Sequence, residues 1–239
     1  PLKFGDLITA DGIVLKSEAD WGVSELGDMK NAVGILDVAT NLLYLAPTGS
    51  KSTAEAKGAL RDFVGNRKVK EFYSDNAGEL IKAAKAFGWI HPTSTPYRHE
   101  SNARAERGVG KIKQGTRATL LGAGLPPKWW PYAGRHFCFS LNIAKLEGEL
   151  NSTWASLHGG EEFKGLRIPF GALCHFRPVQ PKREQLPEFA PRAVPGVFLG
   201  YHTIPGYRWK GDYLVADLED FRSGRRIHVQ RIKEVVEEE

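Results

Sequence analysis

Apolar and polar positions alternate in short runs over the first third of the chain and then change to a spacing of three and four. Leu7 to Asp11 and Ile13 to Leu15 form a short apolar stretch with an acid, Asp11, inside it. Residues 16–31 are polar and carry glycine, which predicts a loop. Ala32 to Val38 reads as a second strand, Thr40-Asn41 as a tight turn, and Leu42 to Ala46 as the third strand of a meander. From Lys51 to Val64 the apolar residues Ala54, Ala56, Leu60 and Phe63 recur at helical spacing. Val69 to Tyr73 predicts a fourth strand that runs out at Ser74-Asp75-Asn76, and Glu79 to Phe87 a short helix. A meander followed by alternating helix and strand predicts a mixed sheet with helices packed on it. In such sheets ligands gather beyond the carboxyl ends of strands, where Asp75 falls.

His91 to Tyr97 is dense in turn formers and reads as a loop, and Ser101-Asn102 offers helix-capping chemistry. In the helix predicted next, Ala105, Val109, Ile112, Thr116 and Leu120 fall on one arc. Glu106, Gly110, Lys113 and Arg117 fall on an adjacent one. One face thus presents a carboxylate, a gap and two cations. Gly122 and Gly124 are expected to stop this helix. Trp130 to Leu146 predicts another, with Trp130, Ala133, Phe137 and Leu141 at core spacing; Trp129, Trp130 and Phe137 read as core side chains.

The pattern then changes. Residues 147–165, with acids, Asn151-Ser152-Thr153 and Gly159-Gly160, read as a linker. Short strands punctuated by Pro and Gly follow, at Ala172 to Phe176, Gly196 to Tyr201, Tyr213 to Ala216 and Arg226 to Val229. So many short strands in so few residues predict a small barrel. The expected organisation is a core over residues 1–146, a linker over 147–165, a barrel over 166–236 and an acidic tail over 237–239.

Charge sharpens this picture. The net charge is +5, and residues 98–145 hold nine Lys and Arg against two acids, so the basic excess sits in the middle of the chain. A polyanion partner and a merely solvated helix face both fit such a stretch. No run approaches the roughly 18 apolar residues of a membrane span, and no membrane association is expected. The N-terminus has neither the apolar stretch of a signal peptide nor an initiator Met, so a fragment or processed product is expected. Cys138 and Cys174 read as buried free thiols of a reducing compartment, and the scattered histidines suggest no structural zinc.

Acids at strand ends and a helix start need a reason to converge. Clustered carboxylates repel, and at least one pKa rises. Toward Mg²⁺ they are hard oxygen ligands, and two such ions about 3.5–4 Å apart support in-line phosphoryl displacement. Asp11, Asp75 and Glu106 are far apart in sequence, so their spacing alone is a weak signal.

The local motifs carry more. Ser74-Asp75-Asn76-Ala77-Gly78-Glu79-Leu80 resembles the "SDNGxEF" stretch of retroviral and retrotransposon integrases. Ser94-Thr95-Pro96-Tyr97 with Asn102-Ala103-Arg104-Ala105-Glu106-Arg107 resembles their "TPYxPQxNGxAER" stretch. Trp130, Ala133 and Asn142 resemble the "W…A…N" helix of the copia-type retrotransposon group. Phe170-Gly171-Ala172-Leu173-Cys174, Gly196 to Tyr201 and Gly206-Tyr207-Arg208 look like its "FGxxxY…FLGY…KGYR" barrel.

The resemblance spans nearly the whole chain in order. It implies an α/β, ribonuclease-H-like mixed sheet with flanking helices, followed by a small all-β SH3-like barrel. The implied activity is that of a DNA-strand-transferring integrase using two Mg²⁺ or Mn²⁺ ions. By motif position Asp75 is the second metal-binding acid and Glu106 the third; the 30 residues between them are slightly fewer than the family usually has. Asp11 is the chosen first acid, with Asp6 the runner-up and Asp37 a weaker third. The family often has Gly where Ala103 and Arg104 stand.

Similar helices in the family lay cations along DNA, which points to Lys113 and Arg117, with Arg104, Arg107 and Lys111 as further nucleic-acid contacts. Arg208 and Lys210 beside Tyr207 and Trp209 are either DNA contacts or barrel surface. Implied partners are element-end and target DNA and further copies of the chain, in a soluble, intracellular and, by the resemblance, nuclear setting. Two other readings share these residues: a non-catalytic DNA-binding or assembly module, and a nuclease that hydrolyses without joining.

Overall fold

A computed structural model describes residues 3–24, 27–75, 77–91, 99–179, 187–223 and 227–237, with side chains from residue 103 onward in the fourth stretch. The first sheet has four strands: β1 (Leu7–Val14), β4 (Asn31–Asp37), β5 (Leu43–Thr48) and β6 (Glu71–Ser74), in the order β5-β4-β1-β6. β1, β4 and β5 form the antiparallel meander, whereas β6 runs parallel to β1. A parallel neighbour needs a crossover, supplied here by α1 (Thr53–Val64). Ser52 caps α1 by accepting from the Glu55 amide, and Gly65 ends it at a positive φ of 63°. After α2 (Gly78–Ala86), Ile90 bridges to Glu71 in parallel, continuing the sheet beyond β6.

Residues 16–31, expected as loop, hold a 3-10 turn (Glu18–Asp20) and a small hairpin of β2 (Gly22–Ser24) and β3 (Gly27–Met29). Three-residue strands show no usable alternation, yet Met29 is buried. α3 (His99–Ala123) begins before the expected capping pair Ser101-Asn102, whose side chains lie outside the described residues, as do residues 92–97 of the expected loop. It runs through Gly122 and ends before Gly124, whose φ is +64°. α4 (Trp130–Ile143) stops three residues short of Leu146.

The stretch expected as a linker contains α5 (Thr153–Leu157), capped by Ser152. Trp154 and Phe163 are buried in one cluster with Phe139, Tyr201 and Tyr207. Aromatic side chains of this size are held by both parts of the chain, so the segment packs instead of spanning solvent.

The second sheet is antiparallel: β7 (Leu173–Phe176), β8 (Val194–Ile204), β9 (Arg208–Asp217), β10 (Val229–Ile232) and β11 (Val235–Glu237), in the order β10-β9-β8-β7-β11. β10 and β11 are separated by two residues, yet they occupy opposite edges. Laid flat, the edges would stand about 19 Å apart, beyond the reach of so short a link. The sheet is therefore curled, as an SH3-like barrel requires. β10 begins at Val229, later than expected, because α6 (Leu218–Ser223) intervenes, with Asp217 accepting from the Glu219 amide at 2.8 Å. Glu237, assigned to an acidic tail, pairs with Cys174 instead.

The two sheets are joined by specific polar contacts. The last turn of α1 leaves carbonyls without helical partners, and Asp62 O accepts from Gly206 N at 2.8 Å and Tyr207 N at 3.3 Å, in the turn between β8 and β9. Asn142 on α4 donates to Leu43 O (2.7 Å) and to the Tyr207 hydroxyl (2.8 Å), and accepts from Leu43 N (3.1 Å), all buried. Both cysteines are buried and free, and burial pushes the Cys174 thiol up to about 11. Among the described residues no helix is long and apolar enough to cross a membrane.

Candidate active site

The site is set by register. Ala10 on β1 lies beside Ser74 on β6 in a parallel pair. The next residues along, Asp11 and Asp75, are therefore neighbours at the same end of two adjacent strands. Asp75 is exposed just past β6, and its Oδ1 accepts from Ala77 N at 3.1 Å, turning the chain into α2. Ser74 is tied down as well, with its hydroxyl 3.1 Å from His91 Nε2.

Gly34 on β4 lies directly opposite Asp11, and directly opposed residues face the same side of a sheet. A Cβ at Gly34 would stand 2.7 Å from Val109 Cγ2 and 3.3 Å from Ile112 Cδ1 on α3. The missing side chain lets α3 lie against the face that carries Asp11. Val109 and Ile112 are buried there with Ile13 and Ala32, and Ala105, Thr116 and Leu120 on the same arc are buried too, Leu120 against the second sheet. The adjacent arc carries Glu106, Lys113 and Arg117, all exposed. A glycine inside a strand signals a close approach, so Gly34 was findable from the sequence by that rule.

Asp11 registers these neighbours. Its carboxyl is held above the usual range first by partial burial, then by the charge of Asp75 and more weakly by that of Glu106. The Gly12 amide and Lys113 act in the opposite direction. The three carboxylates and Lys113 thus lie within electrostatic reach of one another. Among the described residues, no three His, Cys, Asp or Glu side chains form a group close enough to hold a metal ion.

The alternative first acids lie elsewhere. Asp6 precedes β1, pairs with Lys70 at 2.6 Å and accepts from Lys3 N at 2.8 Å. Asp37 is fully buried and accepts from Gly5 N, Thr40 N and Thr40 Oγ1 at 2.7–2.9 Å, which closes the β4–β5 turn. It pairs with Ile8 at the opposite end of β1 from the site.

The five expected DNA-contacting cations do not share one face. At 100° per residue Lys113 and Arg117 lie within about 20° of Glu106. Arg104, Arg107 and Lys111 are exposed but lie about 100–160° round the helix. Arg107 Nε donates to Ala103 O at 3.1 Å, along its own helix.

No family model matches the chain. Over 149 residues, 59% of its length, it is 30% identical to the retrovirus-related Pol polyprotein from transposon RE1 of Arabidopsis thaliana. It is 28% identical over 149 residues to the corresponding polyprotein from transposon RE2 of the same plant. It spans 10% of the length of each. Among solved structures, a chain of the simian T-cell lymphotropic virus intasome in complex with PP2A regulatory subunit B56 gamma superposes with a TM-score of 0.50 at 14% identity, covering 99% of this chain and 80% of that one.

The chain is thus similar in sequence to retrotransposon Pol polyproteins and similar in fold to an intasome chain.

The likeness to the intasome chain covers both sheets and shows a shared fold. The HTLV-2 integrase catalytic core domain in complex with magnesium superposes with a TM-score of 0.45 at 16% identity, over 64% of this chain and 96% of that one.

Proposed function

We propose that the chain is a metal-dependent polynucleotidyl transferase that processes DNA ends of a mobile element and joins them to target DNA. Residues 1–146 would be its catalytic core and residues 166–236 its barrel. The observation that supports this reading is the position of Asp11, one residue past the Ala10–Ser74 pair of adjacent parallel strands, beside Asp75 just beyond β6, with the charges of Asp75 and Glu106 both acting on it.

The donor set fits a hard divalent cation: oxygens only, with the Asp11 carboxyl made costlier to ionise by burial and by its two acidic neighbours. Asp11, Asp75 and Glu106 would hold Mg²⁺ or Mn²⁺, and a bound pair of ions supplies activation of the attacking oxygen and stabilisation of the leaving one. The chain's own residues do the rest. Asp75 is oriented through the turn it makes with Ala77, and Asp11 by its place in the sheet. Lys113 offsets part of the negative charge at Asp11. Lys113 and Arg117 then offer phosphate contacts along the helix face that leads away from Glu106. Arg104, Arg107 and Lys111 would meet a different stretch of DNA, or DNA held by another copy of the chain. The same fold and acids serve a nuclease equally well, and the products distinguish the two.

The test is incubation with a labelled donor duplex and a target plasmid in Mg²⁺ or Mn²⁺. Nicked donor and donor–target joint molecules, both abolished by a chelator, are expected. Nicking without joint molecules would favour a nuclease. Bound DNA with no cutting in either metal would contradict the enzyme reading and leave a DNA-binding module.

A further inference from the structure

Beside the carboxylates lies a groove of about 400 Å³. Its floor is apolar, with Ile13 and Leu15 from the end of β1 and its continuation, and Ile112 and Leu120 from α3. Its rim is basic, with Lys16, Lys113 and Arg117 against a single acid, Asp20. Trp130 at the start of α4 is the one aromatic side chain among the described residues that line it. Its indole Nε1 donates to Asp20 O at 3.1 Å, and a Cβ on Gly22 would stand 2.5 Å from that nitrogen. The indole is thus clamped along one edge and remains only half-buried.

We propose that this groove holds an unstacked nucleobase of the DNA strand whose phosphodiester lies at Asp11, Asp75 and Glu106, with Trp130 as its stacking wall. The proposal rests on the DNA-processing reading above.

Position supports it. Asp11 and Ile13 point to the same side of β1 and are about 7 Å apart along it. Lys113 takes part in both places, since it acts on Asp11 and lines the groove. The strand's phosphates would therefore pass along Lys113 and Arg117 while a neighbouring base turns inward.

Chemistry supports it as well. A phosphate alone would need no apolar floor, and an apolar peptide would gain nothing from three cations on the rim. A nucleotide combines a charged backbone with a flat ring of two apolar faces. A basic groove with an aromatic platform is the general recipe for holding single-stranded nucleic acid, and it tolerates any base because every base has a π-face. At the sequence level Trp130 reads as core. Its spacing fits that reading and it packs against two apolar clusters, but it also borders the open groove.

The experiment uses a labelled duplex with a short unpaired end at the processed terminus, in two versions, one carrying bases in the unpaired end and one abasic. The chain should bind the version with bases about tenfold more tightly, the size expected of one stacked base. Trp130→Leu should reduce that ratio to about twofold or less, and Trp130→Phe should preserve most of it. Because a ratio is read, a general loss of affinity does not imitate the result. Equal binding of the two versions by the unaltered chain, or an undiminished ratio in Trp130→Leu, would overturn the proposal. Should Trp130→Leu fail to fold, photocrosslinking from 5-iodouracil in the unpaired end decides. Attachment to the peptide containing Trp130 is expected, and attachment solely elsewhere overturns the assignment. Failure to bind the fully paired duplex would instead overturn the DNA reading itself, and the two failures are told apart by that control.

Discussion

Gly34 shows how much of the site depends on a side chain that is absent. It faces Asp11 across the sheet, and α3 rests in the space it leaves. Gly34→Ala introduces a methyl 2.7 Å from Val109 Cγ2, which forces α3 outward or Val109 into another rotamer. Overpacking of this kind costs about 1–3 kcal/mol. The expected outcome is a lower denaturant midpoint and a loss of strand cutting larger than the loss of DNA binding, because Glu106 moves with the helix. A variant with an unchanged midpoint and unchanged cutting would show that the close approach does not matter.

At the same scale, Asp11 stands out in the sequence as an acid between apolar neighbours. Its distinction from Asp6 and Asp37 does not. That needs the register, which puts Asp11 level with Asp75 and shows the other two satisfied by Lys70 and by the Thr40 turn.

Among the elements, α3 is the most informative. Its buried arc was legible because helical period alone fixes which residues share a face. Its start was not, because Ser and Asn favour a cap without excluding the helix interior, and helix ends are the least legible part of the periodic pattern. The two exposed basic stripes follow from the same geometry and make separable claims. If Lys113 and Arg117 grip phosphates, the double alanine variant should bind DNA of any sequence more weakly. It should also lower the slope of log K against log salt by up to roughly 2, at about 0.9 per duplex phosphate. The unfolding midpoint should stay where it is, since both side chains are exposed. Binding isotherms from low to moderate salt measure this, and an unchanged slope with unchanged affinity would show a face that is only solvated.

The small elements were the illegible ones. β2, β3, α5 and β11 are too short for periodicity; β2 and β3 hold each other as a hairpin, while α5 and β11 are fixed by partners remote in sequence. For β11 the partner is Cys174 and its neighbours, which no local pattern near residue 235 announces.

Across the whole molecule, the core and the barrel share one aromatic cluster, and Asn142 joins Leu43 of the first sheet to Tyr207 of the second. The resemblance foresaw Asn142 as a motif residue, and the structure gives it a structural role. Unfolding should therefore be a single transition.

That transition should depend on pH through the histidines. Burial holds the His136, His158 and His202 imidazoles below their ordinary value of 6.5. The folded chain then binds fewer protons than the unfolded one as pH falls through about 6.5. Their contribution is complete above that pH and is lost on the way down toward the folded values. Asp37 and Asp62 are shifted upward by burial and act in the opposite sense, so they favour the fold as pH drops into the carboxylate range. The urea midpoint should fall between about pH 7.5 and pH 5.5. His136→Gln should flatten that fall, because its ring lies against Ile168 O at 3.0 Å in the buried interior. A midpoint that rises on acidification over this window would contradict the assignment.

The central claim is that this α/β core and its curled sheet act as an enzyme on DNA strands through Asp11, Asp75 and Glu106. Asp75→Asn tests it most directly. The amide keeps an oxygen that can accept from Ala77 N, so the turn into α2 survives while the charge that would hold a cation is removed. Strand transfer and DNA binding, measured side by side in Mg²⁺ and Mn²⁺ on the unaltered chain and the variant, should show cutting and joining abolished with binding retained. A variant that cuts and joins at nearly the unaltered rate would remove Asp75 from the chemistry and contradict the account.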